Sequence, residues 1–190
     1  MPAARLILAS RSPQRRAILE QIGVAFEVQV PAVDELSRGP AAEVALENAY
    51  RKAAAIGPAQ LPVLGVDTVV SLGAEIFGKP RDTGEAEQML GALAGRRHVV
   101  VSGVCLIAGE RVRTAAAQTA VEFRVLDAEA IAAYVRTGEW EGRAGAYAIQ
   151  GRGATLVERI EGDYLNVVGL PVALLVRLLA ERFPGTYGFG

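Results

Sequence analysis

Residues 99–125 read VVVSGVCLIAGERVRTAAAQTAVEFRV. An apolar run from Val99 to Ala108 meets Gly109-Glu110, and a second extended run follows from Val112 to Val125. The stretch predicts two long strands folded about a tight turn. Strands joined in this way lie antiparallel, so whatever sheet they belong to is not purely parallel.

Working outward from the hairpin, strand and helix signals alternate. Asp82-Thr83-Gly84-Glu85 has capping-box spacing with Asp as the cap, opening a helix through Leu93. Upstream lie strand-like Glu75–Phe77 and a buried strand that begins at Val63–Val66 and continues past Asp67 through Thr68 to Leu72. Alanine-rich Ala41–Ile56 predicts a helix ended by Gly57-Pro58, and Val24–Val30 alternates up to Pro31 as a strand. Leu6–Ala9 is a short apolar run. After it, Ser12 reads as an N-cap and Pro13 as the first residue of a helix that stops near Gly23. Downstream, Asp127 caps a helix through Arg136. Ala154–Ile160 and Tyr164–Val168 read as a second strand pair around Glu161-Gly162-Asp163, and Pro171–Phe183 closes the chain as a helix. The expectation is an α/β (mixed α+β) fold with a mixed sheet. No repeat, low-complexity tract or linker divides residues 1–190, which are expected to form one domain.

Bulk composition narrows the function. Lys and Arg number 20 against 21 Asp and Glu, for a formal net charge of −1. No global positive field exists to hold DNA, RNA or an acidic membrane, so an anionic ligand must be small and met by local cations. The stretch MPAARLILAS has no leader pattern and no segment reaches membrane-span length, so the expected address is the cytoplasm. With one cysteine, Cys105, and one histidine, His98, a zinc site built from such ligands is excluded. The two fall on opposite faces of one strand, which argues against a Cys/His nucleophile; His98 is expected at a strand edge without a partner.

Four segments are candidates for chemistry, and on local sequence each also reads as plain structure: a capped surface helix, a capping Asp, a turn lysine in water and a structural loop. Ser10-Arg11-Ser12-Pro13-Gln14-Arg15-Arg16 combines hydroxyls and guanidinium forks at a helix N-terminus, the make-up of an anion site. Asp67 in GVDTVV is a carboxylate on an apolar strand, where burial is costly unless the group is paired or binds a metal. Lys79 in Gly78-Lys79-Pro80 is a point charge suited to a phosphate oxygen, and Asp34 and Glu35 are candidate further carboxylates for a hard cation. In the glycine-rich stretch 142–153, Gln150 offers both a donor and an acceptor, as reading a base edge requires. Trp140 is better explained as a half-buried aromatic than as a stacking platform.

Taken together, LILASRSPQRR, Val33-Asp34-Glu35, the helix bearing Lys52, GVDTVV, GKPRD, AGAYAIQGRGA and GDYLNVVGLP resemble the Maf family of nucleoside triphosphate pyrophosphatases, also called septum formation inhibitors. The resemblance spans essentially the whole chain. It implies two lobes around a deep cleft, an architecture akin to inosine triphosphate pyrophosphatases, a homodimer, and a divalent cation, Mg2+ or Mn2+. By that resemblance Asp67 accepts the proton of the attacking water. Ser10, Arg15, Lys52 and Lys79 hold the triphosphate, and Glu35 joins Asp67 at the metal. Thr68 and Gln150 look like the branch acting on dTTP and UTP, whereas Gln14 departs from that branch, which commonly has Arg there. The rival expectations are a pyrophosphatase for modified purine nucleotides such as 7-methyl-GTP and a non-catalytic nucleotide-binding regulator.

Overall fold

The computed structural model describes residues 5–189, so the leader-free reading of residues 1–4 lies outside the described residues. One mixed sheet contains β1 (Arg5–Leu8), β2 (Ala25–Val28), β3 (Val63–Leu72), β4 (Glu75–Phe77), β5 (Arg97–Ala108), β6 (Arg111–Phe123) and β7 (Val157–Glu161). Their order is β2-β1-β3-β5-β6-β7, with β4 also on β3. β1 runs parallel to β2 and β3, and the remaining pairs are antiparallel. The expected hairpin is β5–β6, in register from Arg97↔Glu122 to Ala108↔Arg111. Gly109 takes φ of 58° at its turn, a left-handed conformation open to glycine.

The helices are α1 (Pro13–Gln21), α2 (Ala41–Ala54), α3 (Thr83–Leu93), α4 (Ala128–Val135), α5 (Tyr164–Val168) and α6 (Val172–Arg182). Ser12, Asp82 and Asp127 cap α1, α3 and α4 through their side chains, as their sequence positions predict. Among the described residues no helix is long and apolar enough to cross a membrane.

Strand alternation decides what each face of the sheet does. Even-numbered residues of β3 and β5 feed two separate cores. Leu64, Val66, Val104 and Leu106 pack with Leu8, Leu19 and Leu175, whereas Val70 and Val100 pack with Phe77, Leu90 and Phe123. Thr68 and Ser102, paired across β3 and β5, fall between these cores. The opposite face belongs to α2, whose Ala49 and Ala53 meet Val63 and Cys105, and whose Val44 and Ala45 meet Val69 and Val101. α2 lies on bare backbone here. A Cβ at Gly65 would sit 2.1 Å from the Ala49 carbonyl oxygen, and one at Gly103 would sit 2.2 Å from that of Ala45. Both positions admit only glycine at this helix height.

β1 accompanies β3 only at Val63 and Leu64, and β4 only from Val70 to Leu72. Among the described residues, the edge of β3 over residues 65–69 therefore has no strand beside it. Asp67 and Thr68 sit at that gap.

Two expectations are corrected. Tyr164–Val168 is helix α5, and Ala154–Leu156 belongs to a 3-10 turn over Gly151–Leu156, so the second strand pair does not form; β7 pairs with β6 instead. The valines of the segment imitate a strand. Asp163, however, caps it by accepting from the Leu165 N–H, and buried Asn166 donates to the Val100 carbonyl and to Thr119 Oγ1. His98 is not at an edge: β5 is flanked by β3 and β6, and the imidazole is buried against Phe123 and Tyr147 with Nε2 3.0 Å from Tyr147 Oη.

Candidate functional site

A cleft of roughly 670 Å3 opens at the gap beside β3, between the two cores. Ser10, Gln14, Arg15, Glu35, Lys52, Asp67, Thr68, Lys79 and Gln150 all line it. The volume lies within the range of nucleotide-sized pockets.

On the α2 side of β3, Lys52 bridges two carboxylates, with Nζ 2.5 Å from Asp67 Oδ1 and 2.8 Å from Glu35 Oε1. Lys79 extends the line, 3.9 Å from Glu35 Oε2 and largely exposed. Asp67 is 5% exposed, which is tolerable because both of its oxygens are engaged. The second accepts from Asn48 Nδ2 at 3.0 Å. Asn48 also clasps Leu36, accepting from its N–H at 2.7 Å and donating to its carbonyl at 3.0 Å. Glu35 precedes Leu36, so one buried amide ties the loop bearing Glu35 to Asp67. Sequence reasoning missed Asn48. Its signal was the four-residue spacing to Lys52, which puts both on one helix face.

On the other face, Arg15 is the organising cation. It is 8% exposed, and Nε donates to the Gly169 carbonyl at 2.9 Å, Nη1 to Ser10 Oγ at 3.0 Å and Nη2 to Thr68 Oγ1 at 3.1 Å. Thr68 Oγ1 is in turn 2.8 Å from Ser102 Oγ. Burial lowers the Arg15 pKa from its ordinary value, and attraction from Asp67 and Glu35 opposes that shift. A guanidinium keeps its charge regardless. Ser12 accepts from the Arg15 backbone N–H at 3.4 Å and donates to Gln14 Oε1 at 3.2 Å, so Gln14 is held at the start of α1. The opposite wall, residues 142–150, is pinned to the Lys79 turn by the Gly145 N–H donating to the Gly78 carbonyl at 3.0 Å.

Other candidates fall away. Asp34 is exposed and does not line the cleft, and Arg16 is exposed with Nη2 on the Arg11 carbonyl. Trp140 is buried, its indole N–H on the Val135 carbonyl. Cys105 is fully buried with its thiol pushed up to about 12, so it offers no thiolate.

Among the described residues no group of three or more His, Cys, Asp and Glu is arranged to hold a metal. The pair Glu35 and Asp67 remains, converging on one cationic point now met by the Lys52 ammonium. A hard cation such as Mg2+ commonly binds through one or two carboxylates together with phosphate oxygens and water. The pair therefore suits a cation arriving with a polyphosphate.

Residues 5–182 match the family model described as Maf-like protein. A dTTP/UTP pyrophosphatase of Symbiobacterium thermophilum is 47% identical over 182 residues, covering 93% of each chain. One of Gloeobacter violaceus is 48% identical over 182 residues, covering 93% of this chain and 95% of that one. Among solved structures, the Ham1 protein of Staphylococcus aureus aligns with a TM-score of 0.46 at 17% identity, over 63% of this chain and 71% of that chain. That likeness is too slight to bear on the site.

Proposed function

The chain belongs to the Maf family, and from that premise we propose that its cleft hydrolyses dTTP and UTP to the nucleoside monophosphate and pyrophosphate. One observation carries the reading: consecutive residues at the open edge of β3 each meet a cation, on opposite faces of the sheet. Asp67 meets Lys52 and Asn48 on the α2 side, and Thr68 meets Arg15 on the other. The relatives named dTTP/UTP pyrophosphatase support the choice of substrate.

In this reading Asp67 is the proton acceptor. Each of its oxygens already takes one donated hydrogen bond, and the lone pairs left over are free for a water. As that water's oxygen bonds to the α-phosphorus, its proton passes to Asp67. The bond from the α-phosphorus to the bridging oxygen breaks, and the electron pair leaves on pyrophosphate. Arg15, Lys52 and Lys79 neutralise charge growing on the leaving group. Ser10 and Thr68 hold Arg15 in place from either side of the cleft floor. A bound Mg2+ or Mn2+ at Glu35 and Asp67 would supply further charge neutralisation. Gln150 would read the base and Gln14 would lie near the sugar or phosphates. The homodimer and cytoplasmic setting implied by the family complete the proposal.

The test is pyrophosphate release from dTTP, UTP, CTP, GTP and 7-methyl-GTP, with Mg2+, with Mn2+ and with EDTA. dTTP and UTP should lead, and chelation should abolish turnover. Asp67→Asn should fold and lose on the order of a hundred- to ten-thousand-fold in rate. Release led by 7-methyl-GTP would favour the purine reading, and nucleotide binding without turnover in either metal would favour a regulator. Parent-like release by Asp67→Asn would remove Asp67 as the base.

A further inference from the structure

Gln150 stands on the cleft wall with its side chain exposed. Its backbone neighbours are held on both sides, by Tyr134 in the last turn of α4 and by Glu139 in the turn that follows the helix. Two residues before it, the Ala148 N–H donates to Tyr134 Oη at 3.0 Å. Beyond it, the Arg152 N–H donates to Glu139 Oε1 and the Gly153 N–H to Glu139 Oε2, each at 3.0 Å. One carboxylate thus fills a nest of consecutive backbone amides, a charge-assisted arrangement stronger than neutral bonds.

Glu139 is itself anchored. Its N–H donates to Thr137 Oγ1 at 3.1 Å, Thr137 Oγ1 donates to the Tyr134 carbonyl at 2.6 Å, and the adjacent Trp140 is pinned by its indole N–H. The loop closes tightly over this anchor. Gly151 has φ of 68°, and a Cβ there would lie 2.8 Å from Glu139 Oε1; at Gly153 it would lie 1.8 Å from the Ala148 carbonyl oxygen.

The consequence concerns selectivity. A uracil or thymine edge presents acceptor, donor, acceptor, whereas cytosine presents a donor amine and an unprotonated ring nitrogen. A glutamine amide carries both a donor and an acceptor, and by turning over it can satisfy either pattern. It discriminates only while the backbone that carries it is held in one place relative to the base. We propose that Glu139 is the positioning residue for base selection, holding the Gln150 loop so that the amide suits uracil and thymine and rejects cytosine. This rests on the reading of the cleft as a dTTP/UTP site with Gln150 at the base.

The experiment compares kcat and KM for UTP and CTP in the parent, Glu139→Ala and Glu139→Gln. The parent should prefer UTP. In Glu139→Ala the UTP-to-CTP ratio of kcat/KM should fall by about tenfold or more, through a raised KM for UTP. Glu139→Gln, which retains one acceptor and the side-chain volume, should fall between the two, and it serves as the informative variant if the alanine protein does not fold. An unchanged ratio in a folded variant would overturn the proposal, and so would an equal loss for both substrates, the mark of a structural role alone. A parent that releases no pyrophosphate from UTP would instead defeat the pyrimidine reading of the cleft and this proposal with it.

Discussion

Replacing Gly103 by alanine tests whether the site depends on how closely α2 lies on the sheet. The new Cβ would start 2.2 Å from the Ala45 carbonyl oxygen, 2.4 Å from the Ala45 carbonyl carbon and 2.6 Å from the Leu46 nitrogen. These are helix backbone atoms, so no rotamer change relieves the clash. Ordinary contact begins near 3.4 Å, and the helix must therefore lift by about 1 Å. α2 carries Asn48 and Lys52, so their contacts with Asp67, 3.0 and 2.5 Å, would stretch past good hydrogen-bonding distance. Overpacking of this kind costs about 1–3 kcal/mol, which for a chain of this size lowers Tm by roughly 2–12 °C. A misplacement near 1 Å costs on the order of a hundredfold in rate. Calorimetry and pyrophosphate release read the two effects separately. Gly91→Ala is the control: a Cβ there meets nothing within 4 Å inside α3, so it should stabilise by about 0.5–1 kcal/mol without loss of turnover. A Gly103→Ala protein with parent Tm and parent turnover would refute the claim that glycine contact sets the height of α2.

Two further outcomes follow from buried groups. Burial pushes His98 from 6.5 down to about 4, so the fold keeps it neutral while the unfolded chain protonates it. The unfolded state then binds more protons between those values. Stability attributable to His98 is intact above about pH 6.5 and is lost as pH falls toward 4, by up to about 3 kcal/mol. The urea midpoint should fall less between pH 7 and pH 4.5 in His98→Phe than in the parent, and equal pH dependence in both would contradict it. For Cys105, iodoacetamide at pH 8 should label the protein only in denaturant, and Cys105→Ala should retain turnover. Labelling of the folded protein would contradict the buried, high-pKa thiol.

Local signals reached far into this molecule because they report short-range physics. The β5–β6 hairpin, the caps Ser12, Asp82 and Asp127, and the strand through Asp67 each depend on residues within a few positions of one another. Asp67, Glu35, Lys79, Gln150 and the hydroxyls and guanidinium groups of segment 10–16 could be singled out on the same basis, whereas Lys52, Thr68 and Gln14 were expected at the site only through the family resemblance. Non-local partners were not legible. Valine-rich Tyr164–Val168 took a helix because buried Asn166 finds acceptors and a hydroxyl on β5 and β6, which its neighbours in sequence do not reveal. His98 looked unpartnered because Tyr147 reaches it only once the wall of the cleft folds over β5. Asn48 and Glu139 take their roles only from packing, which places one against Asp67 and the other under the amides after Gln150.

Sequence alone determined the β5–β6 hairpin, the starts of the capped helices α1, α3 and α4, and which charged side chains were available to meet a small anionic ligand. Tertiary structure alone decided which of them share a wall. The height of α2 over Gly65 and Gly103 brings Lys52 to Asp67, and the strandless edge of β3 opens both faces at residues 67 and 68 to one cleft. The physical reason is that propensity and capping act through neighbouring backbone, whereas the energy of a buried charge depends on whatever the completed fold sets beside it.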